Sequence, residues 1–155
     1  EIATEIPEIQ SLNLQEVIEH KTKTAYEIIK KPLFVDDVSL VITHMKGLPG
    51  PFIKYFISSL GTEKICRIVD LFPSREAVAQ AMIGYHDGKN MHFFLGEVKG
   101  IISEHPSGTR GFGWDEIFIP DGYSQIRAEM NEKNYDTTSP RKVALDSLKE
   151  YLKSQ

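Results

Sequence analysis

The run Leu33-Phe34-Val35-Asp36-Asp37-Val38-Ser39-Leu40-Val41-Ile42 constrains this chain more than any other stretch. Branched and aromatic side chains suit a packed, pleated surface, so the run reads as a buried strand interrupted by polar residues. Two adjacent carboxylates in such a strand are costly to desolvate unless something pairs with them. The pattern predicts Asp36 and Asp37 at a strand's C-terminal end, where an acidic pair often holds Mg2+, a hard cation that takes oxygen ligands and keeps several waters. Aspartates also serve as plain turn formers, and the run by itself leaves both readings open.

The chain has 155 residues, which predicts a single domain over 1–155 with one core. Its 18 Lys and Arg against 22 Asp and Glu give a net charge of −4. A nucleic-acid partner wants a basic face, so none is expected, although a free nucleotide held by a few cations and a metal remains compatible. The single Cys66 excludes an internal disulfide and a cysteine metal cluster, and fits a reducing, cytoplasmic setting. No apolar run approaches the roughly 20 residues that span a bilayer, so no membrane partner is expected. The five histidines are scattered without ligand spacing, and none is assigned to metal. The numbering opens on Glu1 rather than a methionine, and an N-terminal piece is expected to be missing.

In chain order, Ile6-Pro7-Glu8-Ile9 reads as extended, with Glu8 at the surface. Asn13 suits an N-cap and Glu16 a capping box, so a helix is predicted to about Lys30 with Val17, Ile18, Ala25, Ile28 and Ile29 on its apolar stripe. Lys21 shares that face; it either snorkels to the edge or reaches into a polar cavity, and spacing alone favours snorkelling. Pro51 opens a helix with Phe52, Ile53, Phe56, Ile57 and Leu60 inward, Gly61 breaks it, and a second helical stretch runs to about Leu71. Ala77–Tyr85 and Met91–Ile102 read as a β-hairpin about the turn His86-Asp87-Gly88-Lys89-Asn90. Residues 122–138 read as polar and irregular. Ser139 then caps a last helix with Ala144, Leu145, Leu148, Tyr151 and Leu152 on one face. Arg141 lies in its first turn, where the helix dipole disfavours a cation, which hints at an anionic or carbonyl partner.

Between hairpin and last helix stands Gly108-Thr109-Arg110-Gly111-Phe112-Gly113-Trp114-Asp115. The glycines let the backbone take positive φ and approach a ligand closely. The alternating aromatics offer faces on which a nucleobase stacks for about 1–3 kcal/mol each. The other reading is a tight turn with two core aromatics.

Six blocks in order resemble the inosine triphosphate pyrophosphatase family: Ile6-Pro7-Glu8-Ile9-Gln10, Phe34 to Leu40, Gly47 to Lys54, Gly111 to Gly122, Ala128-Glu129-Met130, and Ser139-x-Arg141-x-x-Ala144. The resemblance spans nearly the whole chain. It implies an α/β fold with a twisted mixed sheet, flanking helices and a cleft for nucleotide, and a homodimer. It further implies Mg2+-dependent hydrolysis of non-standard purine nucleoside triphosphates (ITP, dITP, XTP) to monophosphate and pyrophosphate. Glu8, Asp36 and Asp37 would then hold Mg2+, with Asp37 as the base toward water, and Lys21 would contact substrate rather than snorkel. Phe112, Gly113 and Trp114 would line the base pocket, Asp115 would accept from the base or shape that pocket, and Arg141 would donate to the purine O6. Asp36 and Lys133 complete the expected substrate contacts.

Three departures accompany the resemblance. No counterpart of the family's Ser/Thr-Gly-Asn-x-x-Lys phosphate loop or first strand is seen before Ile2, so an unpaired sheet edge is expected. The family's Ser-His-Arg is Ser139-Pro140-Arg141, and a proline cannot donate to the purine. The family's Glu-Lys-Asn lysine stands two positions upstream as Lys133, with Tyr135 at the ungapped position. The other function compatible with these departures is a catalytically weak or inactive relative that binds nucleotide or a protein partner.

Overall fold

The structure, a computed structural model, describes residues 6–155. The expected loss of a first strand and phosphate loop falls outside those residues. Helix α1 (Leu14–Ile29) starts at Asn13, whose side-chain oxygen accepts the Gln15 N–H at 2.9 Å. The capping box does not close: Glu16 takes the Ser11 hydroxyl at 2.7 Å, and Ser11 in turn accepts the Asn13 N–H. Strand β1 (Leu33–Ile42) follows, then the short β2 (Pro49–Gly50), helices α2 (Ile53–Leu60) and α3 (Thr62–Val69), and the hairpin β3 (Glu76–His86) and β4 (Met91–Ile102). Asp87 builds the hairpin turn by accepting the N–H groups of Lys89 and Asn90. After β5 (Phe118–Pro120) come α4 (Glu132–Thr137) and α5 (Pro140–Lys153). Ser139 caps α5 by accepting the Lys142 N–H at 3.2 Å.

The strands form one sheet in the order β2-β1-β3-β4-β5 with helices packed against it, an α/β fold as expected. Every pairing among the described residues is antiparallel, where a mixed sheet was expected; the tight turn between β3 and β4 reverses the chain, and β1 joins β3 antiparallel through the longer connection that carries α2 and α3. Strand β2 pairs only with Leu40 and Val41, so among the described residues the outer edge of β1 from Leu33 to Ser39 carries no strand. No helix of the described residues is long and apolar enough to cross a membrane.

The alternation of side chains sorts the helices onto opposite faces. Leu14 and Ile18 of α1 pack on Met82, Val35 and Phe93. On the other face, Ala144 and Leu148 of α5 pack on Ile83, Tyr85 and Phe94. The main core shares the α5 face farther along the strands, where Leu40, Ile42 and Ala79 meet Ile53, Ile65, Val69, Trp114 and Phe118. Ile28 and Leu152, expected on the inward stripes, are about half exposed in the last turns of their helices.

Two glycines of the hairpin set how closely the helices approach. A Cβ on Gly84 would lie 1.9 Å from the Thr22 hydroxyl of α1, and one on Gly96 would lie 2.0 Å from the Pro140 carbonyl oxygen of α5. Backbone cannot swing aside as a side chain can. Gly96→Ala should therefore cost about 1–3 kcal/mol, the usual penalty of overpacking, in denaturant unfolding. A variant as stable as the parent would show that α5 does not rest on this strand.

Candidate active site

Asp36 and Asp37 stand mid-strand on the open edge of β1, not at a strand's C-terminal end, and the pleat sends them to opposite faces. Asp37 turns toward α1, where its Oδ2 lies 3.6 Å from Lys21 Nζ while its Oδ1 accepts the Val38 N–H at 2.8 Å. Lys21 Nζ donates to Glu8 Oε1 at 2.9 Å and to the Asp36 carbonyl oxygen at 3.1 Å. Its side chain is 18% exposed, so it reaches into a polar cavity instead of snorkelling. Asp36 turns toward α5, and its Oδ2 accepts Arg141 Nε at 2.6 Å, the anionic partner that Arg141's place in the first turn of α5 called for.

Burial pushes the Asp37 carboxyl above the ordinary aspartate range, with Lys21 pulling it partly back. For Lys21, burial is the largest single influence and lowers its pKa, but Asp37, Glu8 and Asp36 together outweigh it and leave the ammonium raised. Glu8 and Asp37 thus lie on one cation and supply the hard oxygen donors Mg2+ takes, which commonly binds one or two carboxylates and fills its shell with water and phosphate. The Asp36 carboxylate, expected in that set, does not converge with them: it is on the other face of the strand and held by Arg141. Among the described residues, no three acidic, histidine or cysteine side chains form a ready cage.

The glycine-aromatic loop folds as a 3-10 turn over Gly113–Ile117. Phe112 is 60% exposed, whereas Trp114 is buried edge-on to Phe118 with ring centroids 5.6 Å apart. Asp115 is buried and fully engaged: Oδ2 accepts the Phe112 N–H at 3.0 Å and the Tyr135 hydroxyl at 2.7 Å, and Oδ1 accepts Arg127 Nε at 2.8 Å. Gly111 is the one residue that fits here, since a Cβ would lie 2.1 Å from Asp115 Oδ2 and 2.5 Å from the Tyr135 oxygen.

Arg127 is the functional residue that sequence reasoning missed. It is 2% exposed and donates from Nη1 to the Tyr135 carbonyl at 3.0 Å, to the Thr138 hydroxyl at 2.6 Å and to the Thr138 carbonyl. Its guanidinium lies 4.2 Å from the Tyr135 ring centroid. One buried cation thereby ties the loop to α4 and to the start of α5. Its only local signal is its place directly before Ala128-Glu129-Met130, one of the blocks that carry the resemblance. Burial, followed by the bond to Asp115, raises the Tyr135 phenol above its ordinary pKa.

Two cavities result. A slot of ≈ 120 Å³ is lined by Trp114, Asp115, Tyr135, Ser139 and Pro140, and a polar cleft of ≈ 310 Å³ by Glu8, Lys21, Asp36, Asp37, Lys54 and Tyr55. Val38, Phe112 and Arg141 line both, and the Arg141 guanidinium lies 5.8 Å from the Phe112 ring centroid. Lys133 is exposed on α4 and lines neither cavity, whereas Tyr135 lines the slot. Gly113, at φ 61°, lines neither of these but a third cavity, with Ile57, Phe112 and Glu116.

The Ham1 family model matches residues 1–151. The chain belongs to the Ham1 family. It is 39% identical over 153 residues to the inosine triphosphate pyrophosphatase of Schizosaccharomyces pombe, covering 97% of this chain and 80% of that one. It is 36% identical over 147 residues to the dITP/XTP pyrophosphatase of Thermococcus kodakarensis, covering 95% and 79%. The fold matches the solved Staphylococcus aureus Ham1 protein with a TM-score of 0.87 at 22% identity, over 97% of this chain and 81% of that one. In this Ham1 chain the two cavities meet at Val38, Phe112 and Arg141.

Asp115 and Arg127 form an ion pair with side chains 4% and 3% exposed. Removing one partner of a buried pair strands the other charge and typically costs about 3–5 kcal/mol. Arg127→Met should show that loss in urea unfolding followed by Trp114 emission, and the double variant Arg127→Met with Asp115→Leu should recover part of it. A double variant worse than the sum of the singles would mean the pair is not what holds the loop.

Proposed function

We propose that this chain hydrolyses non-standard purine nucleoside triphosphates (ITP, dITP, XTP) to the monophosphate and pyrophosphate. The observation that carries the reading is the junction at Arg141 and Phe112 between an aromatic slot suited to a base and a polar cleft whose mixed charges suit phosphates that arrive with a divalent cation. The names of the relatives point the same way. In this reading Phe112 stacks on the base, and Trp114, whose buried indole N–H has no partner among the described residues, forms the slot wall. Asp115 shapes the slot, because its oxygens are already taken by Phe112, Tyr135 and Arg127. Arg141 donates to the purine O6, where adenine instead presents amino donors.

At the other end, Lys21 and Lys54 face the phosphates, and Lys133, exposed on α4 and lining neither cavity, is given no contact. Asp37 takes the proton from the water that attacks the α-phosphorus; burial raises its basicity, which suits that task. Glu8 and Asp37 are the residues that would hold Mg2+, which when bound would neutralise charge on the leaving pyrophosphate. Asp36 is assigned to Arg141 rather than to the metal. A catalytically weak nucleotide binder is the second reading, favoured by one observation: Lys21 sits on both proposed metal carboxylates.

The test is release of pyrophosphate, as opposed to orthophosphate, from ITP, XTP, dGTP and ATP with Mg2+. Asp37→Asn should abolish release while the midpoint of thermal unfolding moves little, since losing the Lys21 contact is offset by relief of a buried charge. An active Asp37→Asn protein would assign the base elsewhere.

A pH series without divalent metal checks the electrostatics. Because the fold raises the Asp37 pKa, the folded chain binds more protons than the unfolded one between the ordinary and the raised value, so stability falls as pH rises through that window. Asp37→Asn should flatten that part of the stability curve. An unchanged slope would mean that Asp37 is not the carboxyl that burial perturbs.

A further inference from the structure

The slot's polar groups form an unequal set. Asp115 accepts three hydrogen bonds and has no further role to offer a ligand. Arg127 gives Nε to Asp115 and Nη1 to Tyr135 and Thr138. Ser139 accepts the Lys142 N–H, and Pro140 has no donor. Arg141 gives Nε to Asp36, and its terminal amino groups make no hydrogen bond among the described residues. Trp114 Nε1 and the Ser139 hydroxyl still hold a proton to donate, whereas the Tyr135 hydroxyl has its proton already directed elsewhere. Both oxygens of Asp115 act as acceptors here, so the phenol proton points to Asp115 Oδ2 at 2.7 Å, and what the phenol oxygen of this slot-lining residue has left to offer is a lone pair. The position is rigid, because the Tyr135 ring lies under the Arg127 guanidinium at 4.2 Å.

We propose that Tyr135 is a specificity-determining residue whose oxygen accepts the N1–H of a 6-keto purine, beside the Arg141 donor that meets O6. The inference rests on the proposed nucleotide reading and adds a residue to it. Donor Arg141 next to acceptor Tyr135 matches hypoxanthine, xanthine and guanine, which present an acceptor at O6 and a donor at N1. Adenine presents the reverse pattern and would set donor against donor and acceptor against acceptor. A site that hydrogen-bonds its ligand rejects an analogue with the wrong pattern because the site's polar groups are then left unpaired. Tyr135 thus restores discrimination that Pro140 cannot supply.

The test reads both binding and turnover. Binding of IMP and AMP, followed by Trp114 emission in the presence of a chelator, needs neither metal nor catalysis. IMP should bind the parent chain on the order of 10-fold or more tighter than AMP, a factor worth one neutral hydrogen bond. Tyr135→Phe keeps the ring over Arg127 and should lower that ratio several-fold, to the part that the Arg141 donor supplies alone. In turnover the ITP-to-ATP ratio of kcat/KM should fall by a similar factor. The parent chain itself supplies a check that needs no variant: 1-methylinosine 5′-monophosphate, which lacks the N1 proton, should bind far more weakly than IMP, and the two should bind Tyr135→Phe more nearly alike. An unchanged IMP-to-AMP ratio in Tyr135→Phe, an equal loss for both bases, or tight binding of the 1-methyl ligand by the parent each overturns the proposal. Selective IMP binding without pyrophosphate release would sink the hydrolase reading and leave Tyr135 standing. Binding of neither monophosphate would sink the slot and this proposal with it.

Discussion

The pleat of β1 is the constraint on which the rest of the site depends. Consecutive residues of a strand face opposite ways, so Asp36 and Asp37 require a cationic partner on each face of the sheet. Helix α1 brings Lys21 to one face and α5 brings Arg141 to the other. Each helix can come close enough only because Gly84 and Gly96 present no side chain where Thr22 and Pro140 press on the sheet. The carboxylate pair, two glycines of the hairpin and two helices distant in sequence therefore form one arrangement.

The second fixed point is Arg127. A loop of three glycines has little stiffness of its own, and α4 is six residues long, too short to persist alone. The buried guanidinium ties both to the start of α5. Packing on the Tyr135 and Trp114 rings covers the parts of the cation that hydrogen bonds do not. Trp114 shows the outcome: its ring belongs to the main core and lines the slot, so the core-aromatic and pocket-aromatic readings of the loop describe two sides of one residue.

What could be read in the sequence was mostly local chemistry. Asn13, Ser139 and Pro140 mark helix starts because caps act within three residues, and Asp87 marks the hairpin turn for the same reason. The aspartate pair stood out because carboxylates are out of place in an apolar strand. What escaped was long-range. Lys21 finds Glu8 across 13 positions and Asp36 finds Arg141 across 105, and no spacing rule reports such partners. Helix α4 carries no apolar period, so nothing distinguished it from the polar segment around it. The order of the six blocks carried the family and the fold; it could not say which way each carboxylate points.

Charge balance in the cleft has a consequence for how a polyanion enters. Its lining contains three carboxylates (Glu8, Asp36, Asp37) and three cations (Lys21, Lys54, Arg141). Lys21 lies against Glu8 and Asp37, and Arg141 against Asp36. The cleft offers no surplus positive charge, and a bare triphosphate brought into it would meet repulsion that a low-dielectric site amplifies. On the proposed function the substrate must therefore arrive with its own countercharge, and the pairs inside the site must exchange partners. Lys21 would then leave Glu8 and Asp37 for phosphate oxygens, and these two carboxylates are the ones that would hold a hard cation. Arg141 would keep its Nε on Asp36 and extend its terminal amino groups to the base. The asymmetry follows from the pairs themselves. Arg141 is anchored at 2.6 Å through one nitrogen of a forked group and can serve two partners, whereas Lys21 is a single ammonium that must let go of one set of oxygens to take another.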